Sequence, residues 1–150
     1  MEVVRSARNP RLRRVRALAR AAERQEQGLF VVEGEDLVLA ALAANAVEDL
    51  LVREGVEPPA EALVVDGDVL DAASGRGSGS RMLAVVRTQA LPVAPATLTG
   101  VGLVLCGVGD PGNVGTLLRT AAAFGAEVVV LSGACADPTG DRKSTRLNSS

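Results

Sequence analysis

The segment of this chain best equipped for chemistry is Gly107–Gly125, GVGDPGNVGTLLRTAAAFG. Its first glycines, Gly107, Gly109 and Gly112, satisfy G-x-G-x-x-G, after an apolar run that reads as a strand and before a helix. One chemistry that suits this pattern is a dinucleotide pyrophosphate cradled by backbone N–H groups, as in a Rossmann-type protein. Two details oppose it: Asp110 adds a negative charge, and Pro111 lacks a donor, where N–H groups should face the phosphates. The acid that would hold a ribose is also misplaced, because the second strand ends Leu131-Ser132-Gly133 while Glu127 stands at its beginning. Asn113 has the side chain to cap a helix starting at Val114, and Gly115 leaves space for a close approach. Val114, Leu117, Leu118, Ala121 and Ala122 form the apolar face of that helix. Arg119 departs from this face, free to project into a cleft where a guanidinium fork suits an anionic ligand. The residues alone leave a plainer alternative open: Asn113 is only a cap, and Arg119 pairs at the surface with Asp110 or Glu127.

A second feature points toward polyanions. Residues 1–24 carry eight arginines, Arg5, Arg8, Arg11, Arg13, Arg14, Arg16, Arg20 and Arg24, against Glu2 and Glu23. That local balance of +6 sits in a chain whose net charge is −2, so the remainder is acidic. Clustered guanidinium groups gain from phosphate contact and counterion release. The alternative is a solvated basic helix that serves only solubility.

Composition removes other classes of function. No His is present, which excludes imidazole metal sites, Ser-His-Asp triads and histidine acid/base catalysis within this sequence. The two cysteines, Cys106 and Cys135, form no CxxC pair, so neither a zinc site nor a disulfide framework is expected, and their usage fits a reducing cytoplasm. Two Phe, no Trp and no Tyr leave no aromatic platform for stacking bases. Hydrophobic residues make up 47% of the 150 residues, too many for a disordered chain, yet no apolar run is long enough to span a membrane and no signal peptide is expected.

The elements that must position these residues read as an α/β protein. Pro10–Gln27 is expected as one helix ended by Gly28, with Leu12, Val15, Leu18 and Ala22 inward. Leu29–Glu33 then reads as a strand, Asp36–Ala46 as a helix, and Asp49–Arg53 and Ala62–Asp66 as strands. Val69–Ala73 reads as a brief helix, Ser74–Ser80 as a flexible loop, and Arg81–Arg87 as another strand. Thr88–Thr99, with two prolines, has the composition of a linker. Beyond it, Gly102–Cys106, Val114–Phe124 and Val128–Leu131 make a parallel strand–helix–strand unit whose strands are expected to be buried on both faces.

The sequence DPGNVGTLLRTAAAFGA resembles the first signature motif of the SpoU/TrmH branch of the SPOUT RNA methyltransferases: Asn-x-Gly, then an Arg and a small-residue helix ending in Gly. Independently, SARNPRLRRVRALARAAERQEQGLFVVEGEDLV resembles the RNA-binding domain that precedes the catalytic domain in that family. The resemblance covers nearly all of residues 5–139. It departs at SGRGSGSRM, residues 74–82, where family members carry a Pro-Gln-Gly-type turn.

What the resemblance implies is ribose 2′-O-methylation of RNA, ribosomal RNA first, with S-adenosyl-L-methionine as donor and no metal. It implies a small α/β RNA-binding domain over residues 1–88, a linker over 89–99, and over 100–140 the first βαβ unit of an α/β-knot domain that dimerises. Asn113 and Arg119 match the catalytic positions, and Arg5, Arg8, Arg11, Arg13, Arg14, Arg16 and Arg20 would face the RNA. The cofactor pocket of the family lies in later motifs, expected beyond residue 140, so its residues are unassigned. Asp141–Ser150, DRKSTRLNSS, holds the only Lys of the chain and resembles a translated adapter oligonucleotide. It is expected to lie outside the natural protein, which would continue past residue 140.

Overall fold

The computed structural model describes residues 2–75, 79–90 and 97–139. Most of the proposed linker and the whole of Asp141–Ser150 lie outside the described residues, as does the middle of the Ser74–Ser80 loop. The chain divides into two compact units between residues 91 and 92.

The first unit is built on a four-stranded sheet of β1 (Leu29–Glu33), β2 (Val47–Arg53), β3 (Leu63–Val65) and β4 (Met82–Arg87) in the order β1-β4-β2-β3. Strand β4 runs antiparallel to both β1 and β2, whereas β2 and β3 are parallel. Helices α1 (Pro10–Ala17), α2 (Ala21–Gln27), α3 (Glu35–Ala43) and α4 (Gly67–Ser74) connect and cover the strands. The alternation along β4 divides the core in two. Leu83 and Val85 join Leu12, Val15, Leu18, Leu51, Leu70 and Ala73 on one face, while Met82, Ala84 and Val86 join Phe30, Val38, Leu50 and Val52 on the other. Each strand falls within two residues of its expected place because continuous Val/Leu runs are what a sheet covered on both faces requires.

Pro10–Gln27 is not one helix. The chain breaks at Leu18–Arg20, and Ala22, expected on the inner stripe, is exposed. The cause lies in Arg24, a buried cation whose Nη1 donates to the carbonyls of Leu18 and Ala19, each at 2.9 Å. Those carbonyls, left without helical partners at the end of α1, are capped by a side chain from α2. Gly28 ends α2 in the left-handed conformation, as its position suggests.

The second unit contains β5 (Gly102–Cys106), α5 (Pro111–Ala123) and β6 (Val128–Ser132), with β5 and β6 parallel and paired residue for residue. Leu105, Val114 and Ala121 are buried. The expectation that both faces of these strands are covered fails among the described residues: Val104 and Val130, partners across the ladder, are 64% and 46% exposed. Two strands and one helix supply cover for one face only.

Candidate functional site

In the first unit the basic residues line α1 and its approach, but most are not free charges. Asn9 caps α1 by accepting the Arg11 N–H at 2.9 Å, and Leu12 and Val15 pin the helix to the sheet, so the arginines face outward. Arg5 pairs with Glu54 at 3.0 Å and Arg20 with Glu23 at 2.9 Å. Arg11 and Arg14 share one carboxylate, Asp49, each at 3.1 Å. Arg16 donates to the carbonyl of Ala7. Arg8 and Arg13 make no ion pair among the described residues and are exposed. A count of charges does not reveal these internal partners, because Glu54 lies 49 residues from Arg5 and Asp49 lies 35 from Arg14.

In the second unit the chemistry gathers where β5 and β6 end. Gly107 takes a positive φ of 66° and donates its N–H to the Ser132 carbonyl at 3.1 Å, turning the chain out of β5. Cys135 ties the two loops: its Sγ lies 3.4 Å from the donating Val108 N–H and 3.2 Å from the accepting carbonyls of Leu105 and Ser132. Ala136 N–H donates to Val108 O at 2.8 Å. This is the carboxyl edge of parallel strands, where open α/β sheets bind their ligands.

The helix cap differs from expectation. Asp110, not Asn113, is the N-cap of α5; its Oδ1 accepts the Asn113 backbone N–H at 2.7 Å, and Pro111 occupies the first helical position. An Asp followed by a proline starts a helix better than an Asn three residues later, since Pro fixes φ and its missing N–H costs nothing in the first turn. Asn113 therefore stands in the first turn with an exposed side chain. The Asp110 carboxylate also occupies a donor that a dinucleotide phosphate would need, which disfavours a Rossmann-type reading on geometry.

Arg119 is exposed, and its Nη2 donates to Thr116 Oγ1 at 3.1 Å, which in turn donates to the Gly112 carbonyl at 2.9 Å. The guanidinium thus leans toward the N-terminus of α5 and the loops after β5 and β6. Neither Asp110 nor Glu127 pairs with it among the described residues. Glu127 instead accepts from Thr99 Oγ1 at 2.9 Å and Thr99 N–H at 3.1 Å, and these bonds, the hydroxyl's foremost, hold its pKa below the ordinary glutamate value. Asn113 and Arg119 are six residues apart, about 120° around the helix, so they do not share a face. Thr116 holds Arg119 to the first turn of α5 through the Gly112 carbonyl, a contact whose only signal in the sequence was a threonine one turn before an arginine.

Residues 9–84 match the MRM3-like substrate binding domain and residues 100–149 match the SpoU rRNA methylase family. The chain belongs to the family that carries the MRM3-like substrate binding domain, and its second unit is similar to the SpoU rRNA methylases. The second match extends into the terminal segment set apart by its composition. A curated relative from Synechocystis named as an uncharacterized tRNA/rRNA methyltransferase is 30% identical over 89% of this chain and 54% of its own length. The 23S rRNA (guanosine(2553)-2′-O)-methyltransferase RlmP of Bacillus subtilis is 30% identical over 91% of this chain and 57% of its own. Among solved structures, an rRNA methyltransferase from Sinorhizobium meliloti aligns with a TM-score of 0.76 at 27% identity, over 92% of this chain and 57% of that one. An RNA 2′-O ribose methyltransferase aligns at 0.73 and 30% identity, over 92% of this chain and 58% of its own. The chain spans little more than half the length of these relatives. Among the described residues no helix is long and apolar enough to cross a membrane, and no cluster of acidic or thiol groups is arranged to hold a metal ion.

Proposed function

We propose that the chain is the amino-terminal part of an S-adenosyl-L-methionine-dependent RNA ribose 2′-O-methyltransferase that acts on ribosomal RNA in the cytoplasm as a homodimer. Residues 1–88 form its RNA-binding domain, residues 100–140 begin its catalytic domain, and residues 89–99 link them. The observation that carries this reading is Arg119: an exposed guanidinium, unmatched by any carboxylate among the described residues, folded back toward the carboxyl edge of β5 and β6. The names of the relatives support the chemistry, and the AdoMet-bound Sinorhizobium methyltransferase, 29% identical, supports the cofactor.

S-adenosyl-L-methionine, when bound, supplies an electrophilic methyl group. The turns at Gly107 and Gly133, both with φ of 66°, offer an open rim at the strand ends against which such a cofactor would pack. The residues that would grip it belong to later motifs, so no step is derived through it. What this chain's residues do is bind and orient. Two N–H groups of Arg119 on a phosphate oxygen next to the target ribose would set the 2′-oxygen in line for attack and stabilise charge as its proton leaves. Asn113, at the start of α5, would contact the same nucleotide from the neighbouring helix face. No imidazole exists in this chain to take the proton.

The test is single-turnover methyl transfer to rRNA by the full-length protein. Arg119→Ala is expected to lose most of the rate, on the order of 3 kcal/mol in the barrier, with melting temperature and cofactor affinity intact. Arg119→Lys recovers little, because a point charge lacks the planar fork. Near-normal turnover in Arg119→Ala would overturn the assignment.

A further inference from the structure

We propose that Asp49 is a positioning residue, holding Arg11 and Arg14 as a preformed pair for the phosphates of an RNA backbone; this rests on the RNA-binding reading of the first unit. Asp49 is placed by a register shift in β2 between Val47 and Asp49, where β2 pairs with β4. Its side chain is only 9% exposed, at the seam between α1 and the sheet face that carries Leu51, Leu83 and Val85. A carboxylate there has lost most of its water and needs compensation. Both oxygens have it: Oδ1 lies 3.1 Å from Arg11 Nε and Oδ2 lies 3.1 Å from Arg14 Nη1.

The arginines are not consumed by this contact. Their side chains remain 50% and 42% exposed. Each guanidinium spends one group on Asp49, and the Nη groups of Arg11 and the Nε and Nη2 of Arg14 have no partner among the described residues. Each fork is held at one nitrogen and half-exposed, which leaves two further N–H-bearing groups for a bidentate contact with phosphate. Residues 11 and 14 are one turn apart on α1, so without the carboxylate two like charges would spread and sample many rotamers. Binding phosphate would then carry the entropy of ordering two long side chains, an expense that Asp49 removes in advance. Arg13, exposed and without an ion pair among the described residues, adds charge beside the pair.

Charge counting and positioning predict opposite results, which makes the proposal testable. Asp49→Asn adds one unit of positive charge at nearly constant shape, so a purely Coulombic surface would bind RNA tighter, with a steeper salt dependence. Positioning requires weaker binding, by about tenfold for one lost charge-assisted hydrogen bond. The measurement is fluorescence anisotropy of an RNA hairpin with the 150-residue chain, at several salt concentrations. Asp49→Asn should weaken binding in the parent but leave it unchanged in an Arg11→Gln, Arg14→Gln background; equal loss in both backgrounds would mean a structural role only and overturn the proposal. Asp49→Glu covers the case in which the Asn variant melts. It keeps the charge and moves the carboxylate by one methylene, so affinity should fall severalfold, and parent-like affinity would overturn the proposal. If the parent shows no salt-dependent RNA binding, the RNA-binding reading itself fails, an outcome distinct from tight binding by the Asp49 variants.

Discussion

Asp110, Asn113 and Glu127 show how small differences in placement change what a side chain does. Because Asp110 is the cap of α5, Asp110→Ala should destabilise the helix by about 1 kcal/mol, whereas Asn113→Ala should leave it unchanged. Amide exchange along α5 distinguishes the two, and a fall in protection for Asn113→Ala would restore Asn113 as the cap. Glu127 gives a pH dependence of definite sign. Its folded pKa is lowered by Thr99, so its contribution is fully present above the ordinary glutamate pKa and is lost as pH falls through the lower, folded value. Carboxyl NMR titration should place Glu127 below a glutamate in an unfolded peptide, and Thr99→Val should return it toward the ordinary value. No downward shift in the parent would remove this tether of the Thr99 segment.

At the scale of elements, apolar runs were the readable signal and long-range polar contacts were not. Leu29–Glu33 and Gly102–Cys106 lie where expected because their Val/Leu content and flanking glycines leave no competing period. The break after α1 escaped notice because its sequence, Ala-Leu-Ala-Arg-Ala-Ala, favours helix throughout; a tertiary bond from Arg24 overrides that local preference. Arg24→Ala should therefore cost about 1–3 kcal/mol by leaving the Leu18 and Ala19 carbonyls unsatisfied, measured as a shift in urea midpoint. Leu12→Ala, at a fully buried position, should cost about 2–5 kcal/mol. Arg119 was legible as a candidate, and as an outward-facing side chain, because it stands off the apolar stripe of its helix. Thr116 was not, because a threonine on a helix surface has no distinguishing pattern. Nor does a carboxylate in a strand announce which distant arginines it will hold, and so Asp49 was missed.

For the molecule as a whole, the open face of β5 and β6 bears on cofactor binding. With Val104 and Val130 exposed and two strands in this sheet among the described residues, the 150-residue chain should not bind S-adenosyl-L-methionine in the micromolar range by calorimetry. Micromolar binding would relocate the pocket to the residues described above. The strand order of the first unit has another consequence, one of timing. Strand β4 is the last strand of its sheet to be synthesised, yet it lies between β1 and β2 and supplies residues to both halves of the core. While the ribosome makes residues 29–81, β2 can pair with β3 but β1 and β2 have no shared neighbour, and their joining into one sheet must wait for a segment more than fifty residues behind the start of β1. That segment, Met-Leu-Ala-Val-Val, is the kind of short, uncharged, apolar stretch that adheres to copies of itself. Arg81 and Arg87 flank it, and in the folded state they pair with Glu35 and Glu48. Before folding they are bare charges at both ends of the sticky strand, and repulsion between chains during that wait falls to them.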